Sequence, residues 1–84
     1  MTNSDEANWP LKLAKLTRTR RRQLGLTQLE LAELAGCGPA FLYALEKGKP
    51  TLRLDKVLDV LSVLGLRIRL EAGKGALTVD EALE

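Results

Sequence analysis

Side chains able to do general acid–base or nucleophilic work are few in this sequence and poorly placed for it. The 84 residues contain no histidine and a single cysteine, Cys37, so the thiol has no imidazole partner. The carboxylates are scattered over separate elements and do not gather into a catalytic pair. Gly73-Lys74-Gly75 lacks the spacing and the strand-to-helix setting of a phosphate-binding loop. One cysteine also excludes an internal disulfide, and the absence of histidine removes the zinc-ligand patterns. Neither catalysis, a metal site nor a cofactor is expected. The chemistry left is charge and hydrogen bonding. Residues 9–71 hold twelve Lys and Arg against six Asp and Glu, a net +6, whereas residues 1–8 and 72–84 carry −2 each. A basic body between acidic ends suits a polyanionic partner, although a solvated basic face would have the same composition.

The elements that must carry these charges are helical. Eighty-four residues make one small domain, which buries only about 60% of its unfolded surface and gains from a partner subunit. Residues 1–8 are expected to be a disordered tail. From Trp9-Pro10 onward Leu13, Leu16 and Leu24 share a helix side, with proline tolerated in the first turn and Gly25 as the stop. Thr27 with Glu30 three residues later is a capping box opening a second helix, which Gly36 ends. A third helix begins near Gly38-Pro39, points Leu42 and Leu45 inward, and finishes at Lys47-Gly48. Leu54, Val57, Leu58, Leu61 and Leu64 define a fourth, with Thr51 as its candidate cap and Gly65 as its end. Then the period changes. Leu66, Ile68 and Leu70 alternate with Arg67, Arg69 and Glu71, which predicts a strand over 66–71. A lone strand leaves its backbone unpaired, so pairing with the same strand of a second chain is expected, making Leu66, Ile68 and Leu70 the dimerisation residues. Residues 72–84 are expected to be a flexible acidic tail. No apolar run approaches the length of a membrane span, and the acidic N-terminus is unlike a signal peptide, so a cytoplasmic protein is expected.

The informative stretch is 26–48, LTQLELAELAGCGPAFLYALEKG, in which a glycine-bearing turn joins two short helices and the second ends in Glu-x-Gly. Leu26-Thr27-Gln28, Leu31-Ala32, Gly36, Leu42, Leu45, Glu46 and Gly48 resemble the lambda-repressor/Cro-like, Xre-type helix-turn-helix family over about Leu13 to Gly65. Continuation through Lys49-Pro50-Thr51, the leucine-rich fourth helix and the alternating 66–70 is similar to HipB-like antitoxins. That resemblance implies an all-α, four-to-five-helix DNA-binding domain, a C-terminal strand shared across a homodimer, and double-stranded operator DNA as ligand. It further implies a HipA-like kinase toxin as partner, while a free-standing Xre-type repressor would share the same marks.

A short projecting helix fits the DNA major groove, about 12 Å wide, and the helix before it turns its N-terminal amides toward phosphate. Gln28 stands in that first turn, where the resemblance implies a phosphate contact and where it can also serve only to start the helix. Gly38, Pro39, Ala40 and Phe41 occupy recognition positions that are commonly polar, and none can make a bidentate hydrogen bond to a base. Base reading would then rest on apolar contact with thymine methyls, with Tyr43 reaching phosphate or base. Lys47 and Lys49 suit backbone contacts that position without specifying sequence. Phe41 has a core alternative beside Leu42. The cluster Arg18, Arg20, Arg21 and Arg22 is either a solvated face or, in part, a brace for Glu46, which lies among apolar neighbours. Cys37 suits a small apolar position at the turn, and Trp9 a lid on the core or a partner contact.

Overall fold

The computed structural model describes residues 8–74 and 77–79, which contain four helices: α1 (Trp9–Gln23), α2 (Gln28–Ala35), α3 (Pro39–Lys47) and α4 (Leu54–Val63). Helix α1 packs on α3, and α2 packs on both α3 and α4. The core they enclose is leucine-rich, with Leu31, Leu42, Leu45, Val60 and Leu64 fully buried.

Local chemistry explains the ends of these helices. Along α1, Leu13, Ala14, Leu16, Thr17 and Arg21 recur at helical spacing and face inward. The buried Thr17 hydroxyl donates to the Leu13 carbonyl at 2.8 Å, so it costs no unmet hydrogen bond. Gly25 takes φ +71° just past the helix. Its N–H donates to the Arg22 carbonyl and that of Leu26 to the Arg21 carbonyl, the paired bonds of a glycine-terminated helix end. The same pair recurs after α4, where Gly65 bonds Ser62 and Leu66 bonds Leu61. In α2 the predicted capping box is complete: the Glu30 N–H donates to Thr27 Oγ1 at 3.1 Å and the Thr27 N–H to Glu30 Oε1 at 3.0 Å. The Thr27 N–H, and after it the Thr27 hydroxyl, hold the Glu30 carboxyl below its ordinary value.

Several expectations need correction. Leu24 is 46% exposed, because it forms the cap of α1 and lies past the last residue on the buried side. Leu54 and Leu58 point outward, leaving Val57, Val60 and Leu61 as the buried face of α4. Arg53, not Thr51, precedes α4, and it makes no capping bond. Asp55 in the first turn instead accepts from Arg53 and from the Lys56 N–H, bonds that lower its carboxyl below the usual value, Arg53 foremost.

The strand over 66–71 is absent: residues 66–71 have no regular secondary structure, and no strand occurs among the described residues. A strand needs a ladder partner, which this single chain does not offer. Within the single chain the alternation serves packing, with Leu66 and Ile68 half-buried against the core, Arg67 and Arg69 exposed, and Leu70 92% exposed. Of the expected tails, residues 1–7, 75–76 and 80–84 lie outside the described residues. Leu77 does not stand away from the domain but packs on the core.

Candidate nucleic-acid interface

Helices α2 and α3 meet through the three-residue turn Gly36–Gly38. Gly36 adopts φ +69°, which reverses the chain, and the Cys37 N–H donates to the Ala32 carbonyl. Gly38 caps α3 and Pro39 occupies its first turn, where a missing N–H leaves no bond unmade. The helix is then divided by its own period. Pro39, Ala40, Tyr43 and Lys47 are exposed, at the spacing of one helix face, whereas Leu42, Leu45 and Glu46 are buried. Phe41 is half-buried and packs against the core cluster, so its ring lies largely beneath the outer face. Lys49, in the loop leaving α3, is exposed.

Beneath this face lies a buried polar knot. Glu46 is 3% exposed, and its Oε2 accepts from Arg21 Nε at 2.8 Å while Oε1 accepts from Arg21 Nη2 at 3.0 Å. Such a fork pairs two donors with two oxygens and fixes both side chains. Arg21 Nη1 also donates to the Leu26 carbonyl at 2.9 Å, and Arg18 Nη1 donates to the Glu46 carbonyl. Gln28 Nε2 then donates to Glu46 Oε1 at 3.1 Å. The knot therefore joins α1, the start of α2 and the end of α3. Among the described residues no buried side-chain nitrogen or oxygen lacks a hydrogen-bond partner.

Gln28 accordingly does more than open a helix. One N–H of its amide is committed to Glu46, and the amide keeps a second N–H for another acceptor. The arginine cluster, which composition alone leaves between solvated face and brace, is mostly brace. Arg18 and Arg21 hold α3, and Arg20 Nε donates to the Leu64 carbonyl at 3.0 Å, tying α1 to the end of α4. Arg22 is the exposed member. The signal for Arg21 was a carboxylate placed among leucines. Nothing in the sequence marked Arg18 or Arg20 as partners of backbone carbonyls, because a carbonyl acceptor has no letter.

Cys37 is half-buried at the turn, and burial raises its thiol pKa above the ordinary value, which disfavours the reactive thiolate. Among the described residues, no group of three or more His, Cys, Asp or Glu is placed to hold a metal ion, and no helix is long and apolar enough to cross a membrane.

A two-helix unit with a glycine turn, a short outward-facing second helix and a buried Glu46 anchor now stands beside a family match over residues 18–70, described as helix-turn-helix. The chain belongs to the helix-turn-helix family. Two curated relatives of this helix-turn-helix protein carry regulator names. One is the uncharacterized HTH-type transcriptional regulator y4mF of Sinorhizobium fredii, 46% identical over 59 residues, 70% of this chain and 78% of the relative. The other is an uncharacterized HTH-type transcriptional regulator of Haemophilus influenzae, 35% identical over 60 residues, 71% of this chain and 61% of that relative. A solved structure named MDT Protein superposes with a TM-score of 0.68 at 31% identity, covering 77% of this chain and 92% of that one. The helix-turn-helix protein thus falls among HTH-type transcriptional regulators.

Proposed function

We propose that this protein is a sequence-specific DNA-binding repressor of transcription. One observation carries the proposal: the outer face of α3 is exposed while its inner face is locked by the Arg21–Glu46–Gln28 knot. In this reading α3 enters the major groove, with Ala40 and Tyr43 toward base edges. Gln28 offers its second N–H to a phosphate at the start of α2, and Lys47 and Lys49 grip the backbone. The outer face carries few groups able to form paired hydrogen bonds with bases. Much of the affinity is therefore electrostatic, and DNA shape contributes to the choice of site. A gel-shift titration against the upstream DNA of its own gene, at two salt concentrations, tests this. Binding that weakens steeply with salt supports the proposal, and absence of binding at low salt overturns it. Gln28→Ala and Lys49→Ala should weaken binding to all sequences alike, whereas changes at Ala40 or Tyr43 should alter sequence preference.

Operator binding by a homodimer fits the same reading, with two recognition helices spaced about 34 Å apart along the duplex. Leu70, 92% exposed at the end of an alternating run, supports a contact made outside the single chain. In the dimer, residues 66–71 would pair with the same stretch of a second copy, with Leu66, Ile68 and Leu70 at the interface. Two partner assignments share this mechanism. The resemblance to HipB-like antitoxins favours a HipA-like kinase toxin that the protein neutralises and with which it represses its own operon. The regulator names of both relatives fit a free-standing Xre-type repressor at least as well. Co-purification with the product of the adjacent gene separates them.

A further inference from the structure

The family match ends at residue 70, yet the packed structure continues past it. Leu77 and Val79 are half-buried and Thr78 between them is exposed, so two alternate residues of this short stretch turn toward the helices. Leu77 forms one wall of an open apolar cleft of about 350 Å³ that Trp9, Leu13, Pro50, Leu52, Val57 and Ile68 also help to line. The walls of this cleft come from distant parts of the chain: the first turn of α1, the loop leaving α3, the inner face of α4 and the segment after it.

That loop bears Lys49. It leaves α3 through Gly48 at φ +86°, and Leu11 of α1 lies directly against this glycine. Pro50 and Thr51 are exposed, and half-buried Leu52 is the loop's apolar anchor on the core. Leu52 and Leu77 face the same cleft. We propose that residues 77–79 form a strap whose Leu77 walls the cleft that Leu52 also lines, making Leu77 a positioning residue for the loop that presents Lys49 to DNA. The positioning role rests on the DNA-binding reading above; the seat of the strap does not. An apolar side chain in the wall of the cleft limits the movement of its neighbours, and a loop held in one conformation loses less entropy when it grips phosphate.

Trp9 is the only tryptophan in the chain and stands in this cleft, so its fluorescence reports the strap directly. The test compares the full chain with its Leu77→Asp, Leu77→Ala and Leu77→Met variants, with Val63→Ala as a control half-buried on the core outside the cleft lining. With helicity retained, Leu77→Asp should shift Trp9 emission to the red and expose it to acrylamide quenching. It should weaken DNA binding about fivefold and lower the salt slope by about one phosphate contact. Leu77→Ala should do the same to a smaller extent, giving a readout should the aspartate prevent folding. Leu77→Met, similar in volume, should restore both properties, and Val63→Ala should leave the salt slope alone. Unchanged Trp9 quenching in Leu77→Asp and Leu77→Ala overturns the strap. Changed quenching with a salt slope equal to that of Val63→Ala overturns the positioning role. Failure of the unaltered chain to bind DNA at low salt overturns the DNA reading and the positioning role with it, while Trp9 quenching still decides the seat.

Discussion

Residues 26–48 and residues 66–71 are both regular in sequence, yet only the first stretch adopts the structure its pattern suggests. In 26–48 each boundary is written where it occurs: Thr27 with Glu30 at one start, Gly36 at the turn, Pro39 in the next first turn, Gly48 at the end. In 66–71 the alternation of Leu66, Ile68 and Leu70 is equally clear, but no strand forms there. The difference lies in where backbone hydrogen bonds are closed. A helix closes them within a few residues, so local signals suffice. A strand closes them against another segment, and periodicity alone names no partner.

The largest effect should come from breaking the helix-turn-helix stretch at its anchor. Glu46→Ala leaves Arg21 buried without its carboxylate and should cost about 3–5 kcal/mol. That is comparable with the whole stability of a small domain, so urea unfolding followed by circular dichroism should show a largely unfolded chain. The paired replacement Arg21→Met with Glu46→Leu sharpens the point. It should recover most of that stability, since apolar groups of similar size can replace a buried ion pair. It should still bind DNA more weakly than the unaltered protein, because Gln28 has lost its hold. Equal affinity would show that the knot serves folding alone.

Gly48→Ala comes next. A side chain at φ +86° costs about 1–2 kcal/mol. The added Cβ would also lie 2.6 Å from Leu11 Cδ2, so Leu11 must move aside. A lowered midpoint in thermal unfolding checks it. Thr27→Ala removes the cap of α2 and should cost about 1 kcal/mol.

The same box has a pH signature. The carboxyl of Glu30 is depressed in the folded chain, so its contribution is present above its unfolded pKa and is lost as pH falls through the lower folded value. An NMR titration should place Glu30 below an ordinary glutamate and, in Thr27→Ala, move it only part of the way back, since the backbone N–H of residue 27 remains. The smallest change in stability belongs to the other stretch. Leu70→Lys alters a side chain 92% exposed and should change unfolding by no more than about 0.5 kcal/mol. If residues 66–71 pair across two copies, the variant should nevertheless sediment as a monomer at concentrations where the unaltered chain is dimeric. An unchanged sedimentation coefficient removes that interface.

The candidate interface was legible to different depths. Gln28, Tyr43, Lys47 and Lys49 were candidates from their places in the helix-turn-helix pattern, and the structure leaves Tyr43 and both lysines exposed and Gln28 half-buried. Phe41 was ambiguous because the position next to an inward leucine can fall on either side of the boundary, and here it packs on the core. Arg20 was illegible, since its acceptor is the backbone carbonyl of Leu64, 44 residues away.

The sequence by itself determined the elements: the four helices of the described residues with their stops, a capped α2, and a basic body able to meet a polyanion. Each of these depends on neighbours within a few positions, or on a simple sum of charge. Only the tertiary structure decided which arginines turn inward, that Gln28 leans on Glu46, and that Leu77 returns to a cleft beside Trp9. Those are matters of direction and distance between segments far apart in the chain, and a linear pattern holds neither.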